Sequence, residues 1–166
     1  MLSHIAAASE NNSIGLNNDI PWKLSTDFKY FKNKTWGMPV IMGRNSFEAM
    51  KTALPGRINI VITRNTNWQA ENAFVVHTIN EAIEKAKESE AKEIFIIGGG
   101  EIFKQTISIV DRIYLTRVHT TMEGDTFYPE IDKTKWQLKS EESHPADDKN
   151  NYPYTFEVWE KIPQKL

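Results

Sequence analysis

The run Asp-Ile-Pro-Trp-Lys-Leu-Ser-Thr-Asp-Phe-Lys-Tyr-Phe-Lys, residues 19–32, combines a carboxylate with aromatic rings at helical spacing. A helical period begins behind Ser25, whose hydroxyl is expected to accept a free backbone N–H and cap the helix. Asp27 lies four residues before Phe31 and Phe28 lies three before it, so the carboxylate shares a face with aromatic side chains. Two readings stay open on spacing alone. A first-turn Asp favours the positive end of the helix dipole, by about 0.3–1 kcal/mol. Alternatively, Asp27 sits in an apolar cleft, where desolvation raises its pKa and one flat, donor-rich ligand pairs with it.

Groups suited to anions lie further along. The β-rich stretches 38–43 and 58–63 run into Arg44 and Arg64. By default each arginine is a solvated surface charge, but at the carboxyl ends of neighbouring parallel strands both would face the crevice where α/β sheets bind ligands. Gly98, Gly99 and Gly100 separate an apolar strand, 93–97, from a helical pattern at 101–105. Such a turn lets backbone N–H groups approach a phosphate. It is equally a tight turn, because neither the full Gly-x-Gly-x-x-Gly fingerprint nor a Gly-Lys-Ser/Thr ending is present, and Glu101 opposes a phosphate beside its own side chain. With no cysteine, disulfides, thiolate catalysis and cysteine zinc sites are excluded. His4, His77, His119 and His144 show no metal-ligand spacing, so no metal site is expected.

These groups must be positioned by alternating strands and helices. Residues 2–8 read as a buried strand, and 11–19 as a polar loop with one isoleucine, Ile14, that serves as a lid or as a plain connection. Strands follow at 38–43, 58–63, 74–77, 93–97 and 113–118, with a helix at 45–51 and turns at 54–57 and 123–125. Thr78 or Asn80 caps a helix whose stripe of Ile79, Ala82, Ile83 and Ala86 is packing rather than chemistry. Residues 136–140 and 154–159 alternate like half-exposed strands paired across the polar loop 143–151. The expected fold is α/β: one domain over residues 1–166, with a central, mostly parallel, twisted sheet flanked by helices and an antiparallel C-terminal edge. At 166 residues and 40% hydrophobic content the chain is long enough for a substantial core. A net charge of −2 gives no electrostatic reason for nucleic acid or an anionic membrane as a partner. The start lacks the positive region of a signal peptide, and no apolar run approaches the roughly 18 residues a membrane span needs, so a soluble cytoplasmic protein is expected.

Taken in order, Ile14-Gly15, Pro21-Trp22, Asp27 with Phe31, Val40-Ile-Met-Gly-Arg44, Leu54-Pro-Gly-Arg57, Ile97-Gly-Gly-Gly100 and Glu123-Gly-Asp-Thr126 closely resemble the bacterial dihydrofolate reductases, over nearly the whole chain. The resemblance implies NADPH-dependent reduction of dihydrofolate to tetrahydrofolate, supporting one-carbon metabolism, by a monomer that requires no nucleic acid or membrane. It implies that Asp27 is the catalytic carboxylate and holds the pterin N3 and 2-amino groups, supported by Thr116 through water. Ile5, Phe31, Met50 and Leu54 would form apolar walls, with Lys32 also on the substrate side, and Arg57 would clamp the glutamate α-carboxylate. For NADPH, Ala7, Ile14, Gly15 and the Gly98, Gly99, Gly100 turn would hold nicotinamide and pyrophosphate. Gly43, Ser46, Glu101 and Ile102 would complete that site. Arg44, Asn45, Thr63 and Arg64 would surround the adenosine 2′-phosphate, with His77 beside it.

The chain departs from the commonest bacterial pattern at Ile20, Asn45, Tyr30, Phe47 and Phe103, which bears on lid kinetics and inhibitor response rather than on the reaction. Two rivals are a pyrimidine reductase of riboflavin synthesis, which resembles this fold and also uses NADPH, and a non-catalytic protein that kept the pockets. The Pro-Trp, Asp27, Phe31 series and Arg57 favour folate over the first, and an intact Asp27 with a plausible lid disfavours the second.

Overall fold

The structure is a computed structural model that describes residues 1–17, 19, 20 and 22–164; the loop closure expected at Pro21 lies outside the described residues. In chain order the elements are β1 (Leu2–Ser9), β2 (Ser13–Gly15), α1 (Ser25–Thr35), β3 (Pro39–Gly43), α2 (Arg44–Met50), β4 (Ile58–Ile62) and β5 (Ala73–Val76). They continue with α3 (Ile79–Lys87), β6 (Ile94–Gly98), α4 (Gly100–Thr106), β7 (Arg112–Val118), β8 (Thr126–Phe127), β9 (Trp136–His144) and β10 (Tyr154–Lys161). Eight strands form one sheet in the order β5-β4-β3-β6-β1-β7-β10-β9. The first six are parallel, while β10 runs antiparallel to both β7 and β9, so the expected antiparallel C-terminal edge is present.

Strand alternation sends β1 side chains to both sides of the sheet. Ile5 joins Val40, Met42, Val61, Phe95 and Tyr114 beneath α1 and α2. Ala8 joins Ile41, Ile60, Ile96, Leu115 and Phe103 beneath α3 and α4. β3 and β6 are apolar on both faces, as strands covered twice must be. The α3 stripe faces inward and Thr78, of the two candidates, is its cap: the hydroxyl accepts the Glu81 N–H at 3.0 Å.

α1 departs from expectation at its start. Its N-cap is Leu24, with no side-chain capping bond, and Ser25 is already helical. The free N–H groups are taken up from across the molecule instead. Ser25 N–H donates to Lys149 O at 3.3 Å and Thr26 N–H to Asn150 Oδ1 at 3.1 Å. Asn150, 1% exposed, also donates from Nδ2 to Thr26 Oγ1 (3.0 Å) and Asp147 Oδ1 (2.9 Å). At the other end Gly37 N–H donates to Gly56 O at 2.8 Å. Thr35 is the one residue buried within α1, so these end ties and the Tyr30–Phe156 stack (centroids 4.0 Å, planes 11° apart) set where the helix lies. Such a stack contributes about 0.5–1.5 kcal/mol beyond its burial.

Other differences are shorter in range. α2 starts at Arg44 rather than residue 45, and β9 extends to His144, which narrows the polar connection to 145–153. The 11–19 segment contains β2, which pairs antiparallel with β8 just beyond the expected 123–125 turn. Asp125 N–H donates to Gly15 O (3.0 Å) and Asn17 N–H to Asp125 Oδ2 (3.0 Å), which ties Gly15 and Asn17 to the 125–127 stretch.

His4 is buried in a polar chain whose proton positions follow from valence. Thr106 Oγ1 gives its hydrogen to Ile102 O (2.6 Å), so it accepts from His4 Nε2–H at 2.7 Å, and His4 Nδ1 accepts the Tyr128 hydroxyl, also at 2.7 Å. Burial holds this imidazole down at about 3, far below its usual 6.5, and thus neutral. Among the described residues no helix is long and apolar enough to cross a membrane, and no cluster of His, Asp and Glu is arranged to hold a metal ion.

Candidate active site

α1 lies over the carboxyl halves of β1 and β7, where Ala7 pairs with Thr116. Thr116, 2% exposed, donates its hydroxyl to Asp27 Oδ1 at 2.6 Å. The contact is direct, which corrects the expected water bridge: the helix, pinned at its first turn by Asn150, brings the carboxyl within reach of the strand. Asp27 is only half-buried as a residue, but its carboxyl is turned inward. Burial raises its pKa from 3.8 to about 6, against the opposing effect of the Thr116 hydrogen bond. Burial, followed by Tyr114 and Asp27, likewise lifts the nearby Tyr30 hydroxyl well above its ordinary value. Phe31 packs on the same apolar cluster as Ile5, Met50 and Leu54, whereas Phe28 turns out to solvent at 57% exposure. Asp27 and Phe31 thus border the same apolar cleft, and Phe28 does not line it.

The raised pKa has a stability sign. An acid whose folded pKa exceeds its unfolded one binds more protons when folded, so its contribution is complete below about 3.8 and is lost as pH rises through about 6. The rise from 3.8 to about 6 amounts to about 3 kcal/mol at neutral pH. His4 works oppositely: its pKa is lowered from 6.5 to about 3, so its contribution is present above 6.5 and lost as pH falls toward 3. Asp27→Asn is expected to stabilise the fold by about 1–3 kcal/mol at pH 7 and by nearly nothing at pH 4, where the native carboxyl is already neutral. Urea denaturation of both proteins at the two pH values checks this; an equal difference at both would contradict the buried-carboxylate assignment.

Asp27, Phe31 and Thr35 lie four apart along one side of α1, and at the far end of that row stands Arg57. Its Nη1 donates to Thr35 Oγ1 at 3.2 Å and its Nε to Pro55 O at 2.9 Å. The guanidinium carbon lies 6.0 Å from the Phe31 ring and 5.5 Å from the Trp36 ring. Gly56 is required beside it: φ is +76°, and a Cβ there would fall 2.3 Å from the Trp36 ring. Lys32 stands at the exposed rim, 5.4 Å above Trp36. Thr35 and Asn59, which binds the backbone of the 54–57 turn, were not singled out in the sequence. Thr35 had a signal in its spacing of eight from Asp27, and Asn59 in being the lone polar residue of an otherwise aliphatic strand.

A second group of expected residues gathers at the carboxyl ends of β3, β4, β5 and β6. A Cβ at Gly99 would come 3.2 Å from Ser46 Oγ, and one at Gly43 would meet Ile102 Cγ1 at 3.4 Å and Gly99 N at 4.0 Å. Bare backbone there leaves a cradle suited to a pyrophosphate. Glu101 accepts from Gln105 Nε2 at 2.9 Å and lines, with Gly100, Lys104 and Asp125, a depression of about 520 Å³. Arg44 is paired through Nε with Glu48 and lies 5.3 Å over Trp68. His77 Nδ1–H donates to Thr63 O at 2.8 Å, joining β5 to β4 beside the exposed Arg64; Asn45 is exposed at the start of α2. Gly15 closes β2, with Asp19 O 3.3 Å from where its Cβ would stand, and Ile14 packs toward the α3–α4 side of the sheet. Ala7 lies on the Trp22 and Leu24 cluster.

The chain matches the family described as dihydrofolate reductase over residues 1–161. It is 42% identical to the type 3 dihydrofolate reductase of Salmonella typhimurium, covering 94% of this chain and 95% of that one. It is 38% identical to the dihydrofolate reductase of Bacillus subtilis, over 97% of this chain and 95% of that one. Its structure superposes on the dihydrofolate reductase of Enterococcus faecalis complexed with NADP(H) and RAB-propyl, with a TM-score of 0.90, 37% identity and coverage of 98% and 97%.

Proposed function

The chain belongs to the dihydrofolate reductase family, and from that premise we propose that it reduces dihydrofolate to tetrahydrofolate with NADPH, using Asp27 to hold the pterin and Arg57 to hold the tail carboxylate. The observation that carries this reading is the row along α1: a buried carboxyl at Asp27, an aromatic wall at Phe31 and a guanidinium fixed beside Thr35. Eight residues of helix span about 12 Å, which suits a ligand with paired N–H donors at one end and a carboxylate at the other.

Asp27 Oδ1 already accepts the Thr116 hydroxyl, and its remaining lone pairs suit two coplanar N–H donors of a pterin edge. That edge is far from N5, so direct proton delivery by Asp27 is disfavoured, and water carries the proton while the carboxylate polarises the ring. Bound NADPH supplies the hydride. The cradle at Gly43, Ser46, Gly98, Gly99 and Gly100 would hold its pyrophosphate, with Arg44, Arg64, Asn45, Thr63 and His77 around the 2′-phosphate. The 11–19 segment, fastened to Asp125 and β8, would exclude bulk water over the reacting rings.

Arg57→Ala is expected to raise KM for dihydrofolate about 10- to 100-fold with little change in kcat, because a carboxylate remote from the reacting carbon is held alike in ground and transition states. Steady-state kinetics check it; a large fall in kcat at unchanged KM would contradict the role. The function itself is tested by dihydrofolate-dependent NADPH oxidation with purified protein. A pyrimidine reductase or a non-catalytic binder would show none.

A further inference from the structure

We propose that Thr35 and Asn59 are positioning residues that hold Arg57 ready for the substrate's tail carboxylate, a role that rests on the assignment of Arg57 above. An exposed arginine samples many rotamers, and fixing one of them before binding removes that cost from the binding step. Thr35 is fully buried and gives its one hydroxyl hydrogen to Phe31 O at 2.8 Å, so toward Arg57 it acts only as an acceptor, at 3.2 Å from Nη1. Nε is engaged by Pro55 O, and the Phe31 and Trp36 rings flank the guanidinium. Among the described residues Nη2 has no protein acceptor, so it remains available with the second Nη1 hydrogen for a carboxylate.

Pro55 belongs to the same turn as Arg57, so its carbonyl is a fixed anchor only if the turn is fixed. Asn59 does this. Its Oδ1 accepts Leu54 N–H at 2.9 Å, and its Nδ2 donates to Leu54 O at 2.9 Å and to Arg57 O at 3.1 Å. At 2% exposure an amide costs stability unless its hydrogen bonds are made, and all three made here go to residues 54 and 57. Thr35 ties the guanidinium to α1, and Gly37 N–H ties the turn to the end of α1. The spacing between Asp27 and Arg57 is therefore set by the helix that carries Asp27 rather than by a loose loop.

The test compares dihydrofolate with a dihydropterin substrate that lacks the glutamyl tail. Thr35→Val, which keeps the shape and loses the acceptor, is expected to raise KM for dihydrofolate about tenfold with kcat nearly unchanged, and to leave KM for the tail-less substrate as in wild type. Thr35→Ser should restore the wild-type value. Asn59→Asp, which keeps the acceptor for Leu54 N–H and loses both donors, should give the same selective loss. Adding Thr35→Val to Arg57→Ala should cost nothing further, since the two act as one unit. Equal effects on both substrates, no effect on either, or full additivity with Arg57→Ala would overturn the proposal. If Asn59→Asp does not fold, Asn59→Ser replaces it; failure of both to fold overturns the positioning role of Asn59 in favour of a structural one. Arg57→Ala alone separates the two levels of inference. An unchanged dihydrofolate KM there defeats the Arg57 assignment, whereas a raised KM with a silent Thr35→Val defeats only the positioning role.

Discussion

Asp27→Asn is expected to lower single-turnover hydride transfer about 10²–10⁴-fold near pH 7, the range for loss of an acid–base function, while folding and NADPH affinity stay intact. Asn preserves the shape of the side chain and can accept the Thr116 hydroxyl, so the geometry that puts Asp27 2.6 Å from Thr116 survives. What disappears is the negative charge. Hydride arrives at C6 more easily when N5 is protonated, and a carboxylate in a buried site favours the cationic ring more strongly than one in water would. The measurement is a rapid-mixing single turnover after NADPH affinity has been confirmed. A rate within a few-fold of wild type would return Asp27 to a helix-dipole role.

Replacing Arg44 and Arg64 together by alanine should remove most of the preference for NADPH over NADH. Each charge-assisted contact with a dianionic phosphate contributes roughly 1.5–3 kcal/mol, so the pair accounts for about 10²- to 10⁴-fold. The two are not equal. Arg44 is already paired with Glu48 and stacked over Trp68, and releasing an exposed pair costs little, but Glu48 then remains close to the phosphate. Arg64 has no ion-pair partner among the described residues. Arg64→Ala alone should therefore have the larger effect of the two single changes. The ratio of kcat/KM for NADPH and NADH decides it, and a double variant that kept the full ratio would move the 2′-phosphate elsewhere.

Much of the fold was legible because its signals are local. Apolar runs give β3, β4 and β6, and the stripe of Ile79, Ala82, Ile83 and Ala86 gives α3. The misses are long-range. Ser25 has the right chemistry for a cap, but Asn150, distant in sequence, takes that place because β9 and β10 return the chain to the start of α1. β2 and β8 are strands of three and two residues whose pairing no periodicity can signal. At the site, Asp27 was visible as a carboxylate beside an aromatic ring, but spacing left the dipole and cleft readings open. The Thr116 contact and the pKa near 6 are what favour the cleft. Arg57 stands in a turn marked by Pro and Gly, whereas Thr35 joins the site only through the packing of that turn against the end of α1, a contact between residues 22 apart in sequence.

The most direct test of Asp27 as the functional carboxylate is the pH profile of single-turnover hydride transfer in wild type and Asp27→Asn. Burial raises the Asp27 carboxyl to about 6, and a pterin held there as proposed would share its proton with the carboxyl, so that the pair would titrate as a unit. The wild-type rate should level off below about pH 6 and fall above it. Without the carboxylate the ring must take its proton unaided, so the variant should keep rising, about tenfold for each unit of pH, down to the lowest pH at which it folds. Converging profiles of this kind, with the two proteins nearest in rate at acid pH, are the predicted result. Parallel profiles, or a break near pH 6 that persists in Asp27→Asn, would contradict the assignment.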